Sequence, residues 1–345
     1  MGVAIGDIVP RHTTTLEALS GRIVALDAFN ILYQFLASIR QEDGTPLMDF
    51  KSRPTGHLSG LFYRNARLIE NGIRPVYVFD GAPPSFKQKE IERRQEAKKE
   101  AEAKWRDALD YGRMEDARKF AQATSRLTPE MVAEAKDLLS AMGIPWLDAP
   151  SEGEAQAAHM AKKGVAYASA SQDYDSILFA SPRLLRNLSI TGKRKVPRQD
   201  RYVLVEPEEI VFEEVLSALQ LNQEQIILIG LLCGTDFNKG VKGVGPKTAL
   251  KIVKDHATLG KVKEYVKTKY NYEFEEDMDA IFDFFLNPPV KEVPQVKFSA
   301  PNAAGVNRIL VEEHDFSDER VGRVLGSMEK AVKEKGAQKK MDLWF

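Results

Sequence analysis

Seven acids hold the clearest chemical potential in this chain. They are Asp27 in "IVALDAFN", Asp80 in "VYVFDG", Glu152 and Glu154 in "PSEGEAQAA", Asp173 and Asp175 in "ASQDYDS", and Asp236 in "GTDFNKG". The pair Asp173 and Asp175 poses the sharpest problem. "VAYASASQDYD" (165–175) reads as a buried strand, and on a strand residues two apart share a face. Like charges that close destabilise each other unless a proton or cation intervenes. Each acid alone has a plain structural reading, with Asp27 and Asp236 as helix caps and Ser151 with Glu154 as a capping box. Together, the strand ends and helix starts would bring all seven carboxylates to one rim. An all-oxygen donor set with no His or Cys cluster beside it selects Mg2+ or Mn2+ over zinc. Two such ions roughly 4 Å apart suit in-line displacement at phosphorus, activating water and stabilising charge on the leaving oxygen.

The elements that must position these acids alternate along the first two-thirds of the chain. "RIVALDA" (22–28), "RPVYVFDG" (74–81) and residues 165–175 read as buried strands, with amphipathic helical patterns between them. Such alternation predicts an α/β fold, a central mostly parallel sheet flanked by helices, with its site beyond the carboxyl ends of the strands. Residues 83–127 stand apart as a charged, helix-prone excursion poor in core residues. A helical region is expected over about 206–288, then an irregular "NPPVKEVPQVKFSAPN" and a lysine-rich tail over the last twenty residues.

Basic residues adjoin the acids. Lys87, Lys89, Arg93 and Arg94 open the excursion; ion pairing along a solvated helix would explain such a run, and Lys87 and Arg94 are also placed to meet a phosphate. Lys193, Arg194, Lys195 and Arg198 in "TGKRKVPRQDR" suit either a DNA contact or an exposed hairpin. "VKGVGPKTALKIV" (241–253) matches a helix-hairpin-helix. Its Gly243 and Gly245 would let backbone N–H groups approach a DNA phosphate, with Lys247 beside them; an ordinary turn is the alternative. Pro246 between Gly245 and Lys247 breaks the spacing of a nucleotide-binding phosphate loop.

These motifs together resemble the archaeal-type flap endonucleases, a family of structure-specific 5′ nucleases. The resemblance spans the whole chain through "LDAFNILYQFL", "VFDGAPPSFK", "PSEGEAQAA", "ASQDYDS", "GTDFNKGVKGVGPKTA" and "QKKMDLWF". It implies that the seven acids hold two Mg2+ ions, with Mn2+ as a substitute, and that Lys87 and Arg94 contact the scissile phosphate. It further implies that Tyr33 stacks on a nucleotide base, that a 5′ flap threads a helical arch, and that K+ sits at the hairpin motif. A processed N-terminus beginning at Gly2 would lie near the site. Gln338, Met341, Trp344 and Phe345 have the spacing of a sliding-clamp-binding peptide; an apolar end packed on its own core is the alternative. The implied layout is a nuclease domain over 1–325, with segments at about 1–98 and 116–258, an arch at about 83–127 and a hairpin motif at about 228–256, then a tail over 326–345 carrying the clamp motif at 338–345.

Bulk properties fit these expectations. Net charge is only −1 across 345 residues, so a DNA partner must be read from local segregation of charge. One cysteine, Cys233, excludes an internal disulfide and a cysteine-rich zinc site and favours a reducing, intracellular compartment. No signal peptide is visible, and the longest apolar run, 226–234, is too short to span a bilayer. The expected function is a 5′ flap endonuclease with 5′–3′ exonuclease activity in Okazaki fragment processing and DNA repair. Two other readings remain: a single-domain metal-dependent ribonuclease, which needs no arch, hairpin or tail, and a clamp-tethered DNA-binding scaffold, which would tolerate loss of the acids.

Overall fold

Strand and helix alternation builds a seven-stranded sheet in the computed structural model, which describes residues 2–41, 43–190, 192–195 and 202–341, with backbone alone for 89, 190, 193–195, 202 and 334–341. The strands are β1 (His12–Thr13), β2 (Ile23–Asp27), β3 (Arg74–Phe79), β4 (Trp146–Asp148), β5 (Ala168–Ala170), β6 (Arg183–Arg186), β7 (Gly192–Lys195), β8 (Tyr202–Val205) and β9 (Glu208–Val211). Sheet order is β1-β9-β6-β5-β2-β3-β4, while β7 and β8 form a separate antiparallel hairpin. From β6 to β4 neighbours run parallel. At the other edge β9 pairs antiparallel with β6, and β1 antiparallel with β9. The expected mostly parallel sheet is therefore present.

The path of the chain explains where a site can form. It leaves central β2 through β3 to β4, then returns to β5 on the other side of β2. That reversal opens a crevice beyond the carboxyl ends of β2 and β5. Alternate side chains serve opposite faces: Val24, Leu26, Tyr77 and Phe79 enter one core, and Ala25, Val76 and Val78 another. The first face is covered by α1 (Ala28–Ser38), α2 (Gly56–Glu70) and further helices introduced below.

After β3 the chain enters α3 (Gln88–Asp110) and α4 (Met114–Ala123), an antiparallel helical hairpin reversed at Gly112, where φ is +67°. Alanines let its limbs close on each other: Ala101, Ala108, Ala117 and Ala121 are all buried. Arg40 ties the returning limb to the globule. It donates to the Leu36 and Gly44 carbonyls at 2.8 Å each and to Ser125 Oγ at 2.9 Å. The hairpin is thus anchored at both roots, and small residues supply the core that the charged sequence did not advertise.

Then follow α5 (Pro129–Ala141), α6 (Gly153–Lys162), α7 (Asp175–Leu178), α8 (Phe212–Leu219), α9 (Gln223–Cys233), α10 (Pro246–His256), α11 (Leu259–Tyr270), α12 (Met278–Leu286), α13 (Ala303–Asn307) and α14 (Asp318–Met341). Two expectations need correction. The strand expected over 165–175 is regular only at Ala168–Ala170; residues 171–174 turn and Asp175 opens α7. The helical region expected from 206 begins instead with β9, whose Glu208–Val211 pair with β6. The backbone of the tail expected from 326 continues one helix, α14, to Met341, in keeping with the helix preference of its Lys, Glu and Ala residues. Among the described residues no single helix is long and apolar enough to cross a membrane.

Candidate active site and nucleic-acid interface

Four adjacent strands, β5, β2, β3 and β4, deliver six of the acids, and the loop after α9 delivers Asp236. Asp27 is the last residue of β2 and also caps α1, accepting from Asn30 N at 3.1 Å. Asp80 follows β3 and accepts from Gly153 N at 2.7 Å, which places it against the start of α6. A Cβ on Gly153 would lie 2.8 Å from Asp80 Oδ1, so glycine permits this approach. Glu152 is the N-cap residue of α6 without a capping side-chain bond, and Glu154 lies in the first turn. The capping box of Ser151 with Glu154 is absent because Glu152 takes the cap position, releasing Glu154 toward the other acids.

Asp173 and Asp175 meet in the turn after β5, not on a strand face. Asn30 Nδ2 donates to Asp173 Oδ2 at 2.8 Å and Gln172 N donates to Asn30 Oδ1 at 3.2 Å, so one amide bridges the β2 and β5 ends. Asp175 Oδ1 accepts from Val3 N at 3.0 Å. Gly2 lies against the same pair, since a Cβ there would strike Asp173 and Asp175. Asp236 sits in the loop after α9 and caps no helix.

The charges of these groups act on one another. Burial, then the charge of Asp80, holds Asp27 well above the ordinary carboxylate range. Asp80 is raised by burial against the opposing pull of Lys87. Glu152 rises to about 7, burial outweighing Lys87, and Asp175 to about 8 through burial and then the charges of Asp236 and Asp173. Glu154 is raised by burial and then by Asp175, Asp27 and Asp173, and its Oε1 is buried without a hydrogen-bond partner. Among the described residues no three of these side chains close on one point as a finished coordination sphere would. A buried, mutually repelling, all-oxygen set with an orphaned carboxylate oxygen nevertheless fits hard divalent cations.

The two arch cations turn onto the acids. Lys87 Nζ lies 2.5 Å from Glu152 Oε2, and Arg94 Nη2 bonds Asp236 while its Nε donates to Glu90 at 3.0 Å. Lys87 stays above its ordinary range: burial lowers it, and the charges of Glu152 and Asp80 more than reverse that. Tyr33, on α1, has Lys98 Nζ 4.6 Å from its ring centroid. Farther away, α9 and α10 flank the glycine hairpin: Gly243 has φ +86°, and Gly245 is the N-cap residue of α10 with Pro246 at its first position. Lys247 is exposed. The β7–β8 backbone is a hairpin, but the side chains of Lys193, Arg194 and Lys195, and all of Arg198, lie outside the described residues. So do Trp344, Phe345 and the side chains of Gln338 and Met341.

Sequence reasoning missed Asn30, Gly153 and Lys98. Asn30 could have been found, for it stands three residues after a strand-end acid, where a capping interaction is expected. Lys98 follows Arg94 by one helical turn and so shares its face.

Comparison with known proteins agrees with this arrangement. The XPG N-terminal domain matches residues 5–101 and the XPG I-region residues 143–236, spans that together contain all seven acids, Lys87 and Arg94. A flap endonuclease 1 of Aeropyrum pernix is 52% identical, with all of both chains covered. The solved flap endonuclease-1 of Methanococcus jannaschii is 39% identical, with a TM-score of 0.74, 97% of this chain and 100% of that one covered. The catalytic core of Rad2 in complex with DNA substrate shares the fold at 23% identity, with a TM-score of 0.71, 95% of this chain and 100% of that one covered. Sequence, fold and acid constellation agree: the chain belongs to the flap endonuclease family, the structure-specific nucleases that act on DNA flaps.

Proposed function

We propose that this nuclease hydrolyses a DNA phosphodiester at the base of a 5′ flap with two Mg2+ ions held by Asp27, Asp80, Glu152, Glu154, Asp173, Asp175 and Asp236, some directly and some through water. The observation that carries this reading is the convergence beyond four adjacent strands of Asp27, Asp80, Glu152, Glu154 and Asp175, whose proton affinities are raised by burial and by neighbouring acids. Two divalent cations bound there would activate water and offset charge on the leaving oxygen. The rest falls to the chain's own groups. Lys87 and Arg94, at the root of α3, donate to the non-bridging oxygens of the scissile phosphate. Tyr33 stacks on the base beside it. A strand passing between α1 and the α3–α4 hairpin meets Tyr33, Lys98 and Arg94 in turn, which supports the hairpin as the arch of the flap path. The same path admits a free 5′ end, and hence 5′–3′ exonuclease action in Okazaki fragment processing and repair.

The backbone amides of the Gly243–Gly245 turn and Lys247 grip the duplex without reading its sequence, with K+ as the hairpin's ion. Lys193, Arg194 and Lys195 on β7 add a second duplex contact. Residues 338–345 recruit a sliding clamp, with Gln338, Met341, Trp344 and Phe345 as its anchors.

Asp175→Asn keeps the shape of the side chain and its bond to Val3 N but removes one of several repelling charges. Cleavage of a labelled flap in Mg2+ is expected to be nearly abolished with flap binding retained, while the melting temperature in chelator rises. Cleavage near that of the parent, or a lower melting temperature, would make Asp175 a structural acid.

Lys87→Ala and Arg94→Ala are each expected to slow single-turnover cleavage by about 10²–10³, the typical cost of a lost transition-state donor. Full rescue by excess Mg2+ would refute direct phosphate contact.

A Cβ on Gly245 would meet no atom of this chain within 4 Å. Gly245→Val should therefore leave melting unchanged while weakening duplex binding for every sequence, by obstructing phosphate approach. Each lost phosphate contact reduces the salt slope of binding by about 0.9; undiminished affinity and slope would make the hairpin an ordinary turn.

Deleting residues 338–345 is expected to leave cleavage of a free flap and thermal stability intact, and to abolish calorimetric binding to a sliding clamp and stimulation by it. A truncated protein that melts earlier and cleaves poorly without the clamp would instead show the end packed on its own core.

A further inference from the structure

Behind Asp173 and Asp175 lies a network that neither the acids nor the arch cations use. Residues 171–174 belong to no helix or strand, so something else must fix the turn that sets the two carboxylates. Asn30 holds its inner side. On its outer side stands Arg186, the last residue of β6 and the register partner of Glu208 on β9. Arg186 Nε donates to the Gln172 carbonyl at 3.1 Å, and its Nη1 donates to Tyr174 Oη at 2.6 Å. The guanidinium also lies 4.1 Å from the Tyr174 ring centroid. Arg186 thus grips the residue on each side of Asp173, one of which directly precedes Asp175.

Two further elements brace this grip. Glu208 Oε2 accepts from Arg186 Nη1 at 2.8 Å, and Glu208 Oε1 lies 3.6 Å from Arg11 Nε. Arg11 Nη1 donates to Tyr174 Oη at 3.0 Å and to the Gly6 carbonyl at 3.2 Å, so both acceptor positions of the phenol oxygen face arginines. Gly6 leaves the space this requires, since a Cβ there would stand 2.6 Å from Tyr174 Oη. Neither arginine forms a described ion pair with Asp173 or Asp175. The network acts on the turn through geometry.

We propose that Arg186, braced by Glu208 and acting through Tyr174 and the Gln172 carbonyl, is the positioning residue that sets Asp173 and Asp175 for cation binding. Arginine suits the task because its planar fork directs several donors at once, which a lysine cannot reproduce. The inference rests on the metal-ion reading above. Its scale follows from supporting contacts around metal ligands, whose loss typically weakens metal affinity by about 10–100-fold.

The test uses the full chain with Tyr174→Phe, Arg186→Lys and Gly6→Ala, and reads Mn2+ binding by electron paramagnetic resonance without DNA. Melting in chelator and flap-DNA binding in chelator serve as controls. Tyr174→Phe and Arg186→Lys are expected to weaken Mn2+ binding by about tenfold or more, with both controls near the parent values. Gly6→Ala, which keeps every polar group of the network but displaces the phenol, should weaken it in the same direction. Unchanged Mn2+ affinity in the first two variants would overturn the inference while leaving the metal-ion reading standing. So would a loss that merely follows lower melting and weaker DNA binding, since that marks general damage. A parent protein that binds no Mn2+ would remove the metal-ion reading and this inference with it.

Discussion

Repulsion among desolvated carboxylates is the constraint around which this fold is arranged. A carboxylate leaving water loses hydration, and a second one nearby adds Coulomb energy that a low-dielectric surrounding barely screens. Here burial is the first cause of the raised proton affinity of Asp27, Asp80, Glu152, Glu154 and Asp175, and neighbouring acids add to it in each case. Such a cluster costs stability, so the framework around it must come from interactions made elsewhere. The sheet provides it: β2 and β3 are almost wholly buried, and their side chains pack into cores on both faces. Backbone donors from three separate segments, at Val3, Asn30 and Gly153, then fix individual oxygens.

The arch belongs to the same electrostatic problem. Its root cations pair with acids of the cluster, Lys87 with Glu152 and Arg94 with Asp236, and Lys87 is itself buried yet stays above its ordinary proton affinity because the acids hold it. Breaking such a pair from one side leaves an uncompensated buried charge. The root of α3 is thereby tied to the carboxyl edge of the sheet, while Arg40 ties the far end of α4 to α1. A long charged hairpin with few large apolar residues is thus held at its two ends by polar contacts and along its length by alanine packing. This explains how a segment so hydrophilic can be an ordered element.

Much of this was legible in the sequence. Asp27 and Asp80 stand at the ends of strongly apolar runs, and apolar strands that end in acid at a parallel sheet's edge mark a site without further information. The hairpin motif was legible because positive φ at Gly243 and the proline at the start of α10 are local requirements that local residues report. The extent of β5 was not, because "ASASQ" has the small residues of a buried strand while its end is decided by Asn30 and Arg186, distant in the chain. Strand β9 was hidden for a similar reason: "EEIV" opens on two acids that face opposite sides and are half-buried against Arg186 and Tyr167, and only pairing with β6 makes it a strand. The helical backbone of α14 was not legible either, since a lysine-rich composition suits a solvated coil and a helix equally.

Acidic and basic residues are concentrated on different parts of the molecule, and this division makes the near-zero net charge compatible with a polyanionic substrate. The acids are concentrated and buried at the sheet edge, where a distant phosphate is shielded from them and a bound cation is not. Lys242, Lys247, Lys251 and Lys254 are exposed along the hairpin and α10, where they act at long range and fall off only over the Debye length. Charges that balance in the sum need not balance locally, and these lysines form a positive stretch along the hairpin and α10. The helices beneath that surface are held by a wholly apolar core, from Ile226 and Leu232 on α9 to Val253 on α10 and Phe285 on α12. That core makes no use of the surface lysines, so their side chains are not tied up in holding the fold. The acids have no such freedom, for the turn that carries two of them is held by polar contacts to three other segments.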